Sequence, residues 1–372
     1  MTPRLLMLAP MPSHPGTQGN RARLRAMAAA LQARGIGAEL LLHTQEDGDH
    51  DAMRGCWQDL HIHRATPPPR PGLASAWGID DWCPASLVQM VAALHGRRRY
   101  HAVIVHYAWL SAVLPGLRDT LRVIDTHDIF GGRQQDFAAQ GMAPRWYFTT
   151  PAEEARGLDR ADLVLAIQAE EATLLAARTR ALVMVLGHPV PPDFLRRAPA
   201  TAVLAPFGWM GSGNPHNQAG LLALDAALAD AADLRWLVAG SLLANPPRLL
   251  SHPLLLGELA DAAAFHASID CVLNPMPGGT GLKIKTIEAL MAGLPVIGTR
   301  GAFAGLGATH PAQRLAEIPA MLPCMRRFLA EPGYAAELRH ASRLLALRYA
   351  AEVEEQYDRF AAILQQAARL HA

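Results

Sequence analysis

The stretch that most constrains this chain is Gly278-Gly279-Thr280-Gly281-Leu282-Lys283-Ile284-Lys285-Thr286-Ile287-Glu288-Ala289-Leu290-Met291-Ala292-Gly293-Leu294-Pro295-Val296-Ile297. Just before it, Ile269-Asp270-Cys271-Val272-Leu273 is a short apolar run of the kind that forms a buried strand. Asn274 to Gly281 reads as a Pro/Gly loop, and Leu282 to Ala292 as a helix stopped by Gly293. Strand, glycine loop and helix start, in that order, present unpaired backbone N–H groups and a positive dipole end to an anion.

The same stretch holds Lys283 and Lys285, the only lysines in a chain with 34 Lys and Arg residues. A sequence so biased to arginine that still places two lysines after a glycine run suggests a local need for a compact ammonium, which meets phosphate as a point charge. Lys283 is expected in the first helical turn, beside the anion. Lys285 faces differently and is either a second ligand or a solvated side chain. Glu288 falls further down the helix, where a carboxylate can accept hydrogen bonds from sugar hydroxyls.

Gly-Thr-Gly-Leu-Lys-Ile-Lys-x-x-Glu-Ala-Leu-x-Ala-Gly-x-Pro-Val-Ile resembles the nucleotide-sugar signature of GT-B glycosyltransferases, the family 4-like glycosyl transferases group 1. The resemblance implies an α/β protein of GT-B architecture, two Rossmann-like doubly wound domains facing across a cleft. In that family two Glu residues, with seven residues between them, bracket the loop and helix; the first meets the donor sugar and the second the ribose. Glu288 matches the second, but the first falls on Thr280, so the donor-sugar contact is changed and retention at the anomeric carbon is held loosely. The resemblance makes Thr280, Gly281, Leu282, Lys283, Lys285 and Glu288 donor-binding residues. It gives Lys283 and the amides from Thr280 to Leu282 the task of stabilising the departing diphosphate.

Composition narrows the class. A chain that is 51% hydrophobic and 18% charged can build compact cores, and a formal net charge of +1 is not that of a nucleic-acid binder. Arg97-Arg98-Arg99 is the strongest basic run and reads as a solvated turn, with anionic lipid headgroups as the alternative contact. Cys56, Cys83, Cys271 and Cys324 have no paired spacing, so neither a disulfide framework nor a zinc site is implied. Met1 to Pro12 is too short for a signal peptide, and no run of about 18 apolar residues occurs. The expected setting is the cytoplasm, with possible peripheral contact at the inner face of the membrane.

At the start of the chain, Arg4 to Ala9, a loop to Gly19, a helix from about Asn20 to Arg34 and a strand at Ala38 to Leu42 form a βαβ unit. The loop lacks Gly-x-Gly-x-x-Gly, which disfavours a dinucleotide cofactor. It resembles the start of the same family, where the loop lies near acceptor and donor phosphates, and this makes Gly16, Gly19 and Arg21 candidates. Glu46 to Asp51 reads as a solvated loop rather than a metal-binding Asp-x-Asp. His61-Ile62-His63 puts two imidazoles on one strand face without an evident third ligand. The strand at Arg122 to Asp125 ends in Thr126-His127-Asp128-Ile129-Phe130-Gly131-Gly132-Arg133, and strand C-termini face the ligand crevice in open α/β sheets. By resemblance His127 lies near the donor sugar or acceptor hydroxyl, Asp128 is its partner or a candidate base, and Arg133 meets an acceptor anion. Trp146 and Tyr147 are candidates for an acceptor groove. Farther on, Gly211 and Ser212 resemble the family's Gly-Ser loop, which faces the donor phosphates.

These readings divide the chain into an acceptor-side domain at 1–187, joined by a last helix at about 349–372, and a nucleotide-sugar domain at 188–348. The expected activity is sugar transfer from a nucleotide-diphosphate sugar to a hydroxyl of a glycan or lipid-linked acceptor, for surface polysaccharide or glycoconjugate. Metal and cofactor are expected to be absent, the nucleotide sugar being a co-substrate. Two alternatives stay open: a catalytically silent nucleotide-sugar-binding protein, and a GT-B-like nucleotide-sugar epimerase.

Overall fold

The structure is a computed structural model that describes residues 2–16, 18–66, 77–139, 141, 143, 148–194, 203–259 and 262–371. The chain divides into two compact units, Met1–Pro189 with Val353–Ala372, and Val190–Glu352.

The first unit runs β1 (Leu5–Ala9), α1 (Gly19–Gln32), β2 (Ala38–Thr44), α2 (His50–Cys56), β3 (Leu60–Arg64), α3 (Ala85–Arg98), β4 (Ala102–His106), β5 (Leu121–Asp125), α4 (Arg133–Ala139), α5 (Pro151–Leu158), β6 (Leu163–Ala166), α6 (Ala169–Ala176) and β7 (Leu182–Val185). Its strands pair in parallel in the order β3-β2-β1-β4-β5-β6-β7. Strands covered on both faces read as unbroken apolar runs, and Leu5 to Ala9 and Ala102 to His106 are buried throughout. The order reverses between β1 and β4, so the loops after those two strands part and leave a crevice.

The second unit runs β8 (Ala205–Met210), α7 (Pro215–Leu228), β9 (Trp236–Ala239), β10 (Leu254–Gly257), α8 (Ala262–Ala267), β11 (Ile269–Asn274), α9 (Ile284–Met291), β12 (Val296–Gly298), α10 (Met321–Ala330) and α11 (Pro332–Leu370). The parallel order is β10-β9-β8-β11-β12, with its reversal between β8 and β11. From Val353 onward α11 belongs to the first unit. There Arg34 bonds Glu354 at 2.6 Å and Asp358 at 2.8 Å, and Gly187 N donates to Gln356 Oε1 at 2.7 Å.

Local packing sets several element bounds. Strand β8 begins at Ala205 and runs unbroken through Gly208, which lets Ile269 and Phe265 pack against the backbone. Helix α7 begins at Pro215: proline suits a first helical turn, and Asn214 Oδ1 caps it by accepting from Asn217 N at 2.8 Å. Strand β10 forms the edge of its sheet. The candidate acceptor groove at Trp146 and Tyr147 lies outside the described residues.

One glycine fixes how α7 sits on the sheet. A Cβ at Gly220 would stand 2.3 Å from the Pro275 carbonyl oxygen, at the start of the lysine loop. Alanine in place of glycine ordinarily favours a helix by about 1 kcal/mol; here the clash reverses the sign. Gly220→Ala should lower the unfolding free energy by about 1–3 kcal/mol, read as a lower urea midpoint.

Candidate active site

In the second unit the sequence candidates collect at the C-terminal ends of β8 and β11. Gly211 and Ser212 follow β8. A Cβ at Gly211 would meet the Trp209 ring at 2.6 Å, and Gly240, at φ +111°, lies so close to the Gly211 carbonyl that a side chain there would overlap it. The Ser212 hydroxyl accepts from Asn217 Nδ2 at 3.2 Å and from Asn214 Nδ2 at 3.3 Å. The Gly-Ser turn is thereby tied to the first turn of α7.

The two lysines take different places from those expected. The helix starts at Ile284, so Lys283 is the residue before it rather than part of its first turn. Its ammonium donates to three carbonyls of its own loop, Gly279 at 3.0 Å, Thr280 at 2.8 Å and Gly281 at 3.0 Å. Gly279 and Gly281 have φ of +100° and +75°, which lets the loop turn its carbonyls inward. Lys285 is not a solvated side chain. It is partly buried, donates to Asn217 Oδ1 at 2.8 Å and lies 5.0 Å over the Trp209 ring. Burial, and then the charge of Lys283, lowers its ammonium to about 7. No carboxylate pairs with it among the described residues. Glu288, half-buried, stands one turn beyond Lys285. Lys285, Asn217, Trp209 and Ser212 thus form one cluster. Spacing alone could not assign Asn217 and Trp209 to it.

In the first unit the site forms where β4 and β5 end. His127, at φ 59°, turns its Nε2 inward to His106 Nδ1 at 2.9 Å and Asp125 Oδ2 at 3.2 Å. The expected partner Asp128 is instead paired with Arg133, whose guanidinium also covers the Phe130 ring at 3.9 Å. Arg133 thus already has a carboxylate partner. Arg21 is likewise paired, with Glu46. Gly19 opens α1 and is exposed. Tyr107, another non-glycine residue at positive φ (77°), stacks on His127 at 4.2 Å and on Trp109 at 4.2 Å. Left-handed backbone at non-glycine residues carries a cost and gathers at functional sites.

Beneath His127 lies a charge pair that the sequence reading missed. Arg23 donates to both oxygens of Asp125, at 2.6 and 2.9 Å, and to the carbonyls of Leu186 and Gly187. Both side chains are essentially unexposed. Burial pushes the Asp125 carboxyl up, but Arg23, His127 and His106 outweigh it and hold the group well below the usual carboxylate range. Burial keeps His127 neutral, lowering it well below the ordinary histidine value against the pull of Asp125. The Nε2 of His106 is buried without a hydrogen-bond partner, while its Nδ1 faces Asp125 Oδ2 at 3.2 Å. The strand-end rule that singled out His127 applies equally to His106 and Asp125.

Two clusters among the described residues could offer three ligand atoms to a metal: His106, Asp125 and His127, and Glu39, Asp59 and His61. In the first, the ligand atoms are bonded to one another and both Asp125 oxygens carry Arg23. In the second, Glu39 Oε2 takes His61 at 2.8 Å and the Tyr100 hydroxyl at 2.6 Å, while His63 pairs with His43 at 3.0 Å.

Residues 207–312 match the family described as Glycosyl transferases group 1, a segment that contains every donor-side candidate above except Gly19. The fold is that of solved GT-B enzymes. Sucrose-phosphate synthase from Thermosynechococcus elongatus superposes with a TM-score of 0.76 at 17% identity, covering 98% of this chain and 100% of that one. HepE of Anabaena, solved with UDP and glucose, gives 0.70 at 15% identity, covering 97% and 99%. WaaG, a glycosyltransferase involved in lipopolysaccharide biosynthesis, gives 0.62 at 15%, with the same coverage. No curated protein sequence matches the chain. The fold is thus the GT-B fold of these enzymes, and residues 207–312 match the model of glycosyl transferases group 1.

Breaking the buried pair should be expensive. Arg23→Ala leaves Asp125 unpaired and should cost about 3–5 kcal/mol of unfolding free energy, measured by urea titration at pH 7. The sign with pH follows from the lowered carboxyl. Its stabilisation is present above the unfolded value near 3.8 and drains away as pH falls below it. The deficit of the variant should therefore shrink in acid.

Proposed function

We propose that the chain transfers a sugar from a nucleoside-diphosphate sugar to an acceptor hydroxyl, and that Lys285 is the cation that meets the diphosphate. The observation that carries this is a partly buried ammonium whose neighbours among the described residues are an amide oxygen, an indole and another ammonium. Desolvating a charge is costly unless an opposite charge joins it, and a diphosphate is such a partner. Ser212, the amides from Thr280 to Leu282 and the start of α9 surround the same place and suit an anion. Lys283, through its three carbonyl contacts, shapes the loop that presents those amides. Glu288 is assigned to the ribose, and His127, neutral and oriented by Asp125, to the sugar or the acceptor hydroxyl.

In this reading the developing charge on the leaving diphosphate is stabilised by fixed protein dipoles and Lys285, without a metal. Preorganised electrostatics of this kind typically lower the barrier of a transfer reaction more than any other single effect. Retention of anomeric configuration is proposed with it. The work is placed in the cytoplasm, at or near the membrane face, on a glycan or lipid-linked acceptor. No described helix is long and apolar enough to cross a membrane.

A thermal-shift panel of UDP, GDP, dTDP and ADP tests the donor reading. One diphosphate at roughly 100 times its dissociation constant should add about 2.7 kcal/mol, and Lys285→Ala should abolish the shift. A shift that survives Lys285→Ala removes that residue from the site. A second measurement uses protonation. With its ammonium lowered to about 7, Lys285 is mostly neutral at pH 8. A bound diphosphate raises that value again, so calorimetry at pH 8 in buffers of different ionisation enthalpy should show uptake approaching one proton, vanishing at pH 6. Stereochemistry follows from NMR of the first product anomer, and metal dependence from turnover in EDTA.

A further inference from the structure

The first unit contains a cavity of about 370 Å³, lined by Pro10, His43, Glu46, Asp81, Trp82 and Trp109 among others. Its volume is in the range of small-molecule sites. Its place in the fold is equally telling. Pro10 follows β1, His43 lies near the end of β2 and Trp109 follows β4, so the cavity opens at the carboxyl edge of the sheet beside the strand-order reversal. Trp109 forms one wall and connects it to the site already described, since it stacks on Tyr107, which stacks on His127.

The lining is selective in its chemistry. Two indoles supply flat apolar area of the kind on which the C–H face of a pyranose packs. Glu46 and Asp81 supply carboxylate oxygens that accept hydrogen bonds from hydroxyl or ammonium groups. Among the described residues no lysine or arginine lines the cavity. Arg21 is committed to Glu46, and Arg133 to Asp128. His43 adds no charge: burial, and then its neighbour His63, lowers it to about 4. A phosphate or carboxylate on the occupant would meet the Asp81 carboxylate and the Arg21-paired Glu46, with no lysine or arginine among the described lining residues.

We propose that this cavity is the acceptor subsite and that it takes a neutral or amino-substituted glycosyl ring, stacked on Trp82 and Trp109 and held by Asp81 and Glu46, and rejects acidic or phosphorylated sugars. The proposal rests on the glycosyltransferase reading for the word acceptor, but the cavity's preference is testable without any donor. It replaces the expectation that Arg21 and Arg133 receive an acceptor anion.

Saturation-transfer NMR with methyl glucoside, methyl glucosaminide, methyl glucuronide and glucose 6-phosphate is the direct experiment, on the full chain and on Trp82→Ala and Asp81→Asn. Transfer is expected to the first two sugars only, to be lost in Trp82→Ala, and to weaken for the glucosaminide most in Asp81→Asn. Weakening of at least about tenfold in dissociation constant, the equivalent of about 1.4 kcal/mol, is expected for Trp82→Ala. Its nucleotide thermal shift should match that of the unaltered protein, which separates a folding defect from loss of the subsite. Equal binding of the glucuronide or the phosphate, unchanged transfer in Trp82→Ala, or no transfer from any glycoside overturns the proposal. If these sugars bind as expected while no nucleotide shifts the melting, the donor reading fails and the cavity assignment stands as a sugar site.

Discussion

The structure depends first on a backbone constraint, the pairing of every strand in parallel with its neighbours. A parallel neighbour cannot be reached by a tight turn, so each connection must cross back over a face of the sheet. All strand carboxyl ends in a unit then lie along one edge. In the first unit this edge carries Pro10, Tyr107 and the His127 loop, and in the second it carries the Gly211 turn and the loop that opens at Pro275. Residues more than 60 apart in sequence, such as Asn217 and Lys285, meet there because the topology leaves them no other place. Chemistry is concentrated by connectivity before any side chain is chosen.

On that edge the two units handle buried charge in opposite ways. Arg23 and Asp125 are matched: a planar guanidinium spans both carboxylate oxygens, and its remaining donors reach two backbone carbonyls. Asp125 Oδ2 of this pair also lies 3.2 Å from His127 Nε2. Lys285 has, among the described residues, a neutral hydrogen-bond acceptor, an aromatic face and the like charge of Lys283. Removing one member of a matched buried pair strands the other charge, whereas an unmatched buried charge already carries its desolvation cost.

What could be read in advance follows the range of the interactions. The glycine-lysine loop, the apolar strands and the strand-end position of His127 are local patterns, and the doubly wound class and family resemblance followed from them. Arg23 could not be recognised, because it sits among several arginines of one helix and its partner is 102 residues away. The division of labour between Lys283 and Lys285 was hidden by a shift of the helix start by two residues, from Leu282 to Ile284. Strand β8 is hard to read because Phe207-Gly208 looks like a turn in sequence, although Gly208 admits the close approach of Ile269 and Phe265. Edge strand β10 follows His252, at φ 52°, and a proline, and its exposed leucines lack the burial that marks the central strands.

The scarcity of lysine also gives this protein an unusual chemical surface. Thirty-four basic residues include only two side-chain amines. One of them, Lys283, is held as an ammonium donor by three carbonyls. The other, Lys285, is partly exposed and has a proton affinity lowered towards neutrality, which makes its free amine a nucleophile under mild conditions. Amine-directed acylation, which on most proteins scatters over many lysines, meets only these two side-chain amines here, and Lys285 is the one with the lowered proton affinity. The arginine bias thus turns an unselective reagent into a probe of one short loop and the helix start that follows it.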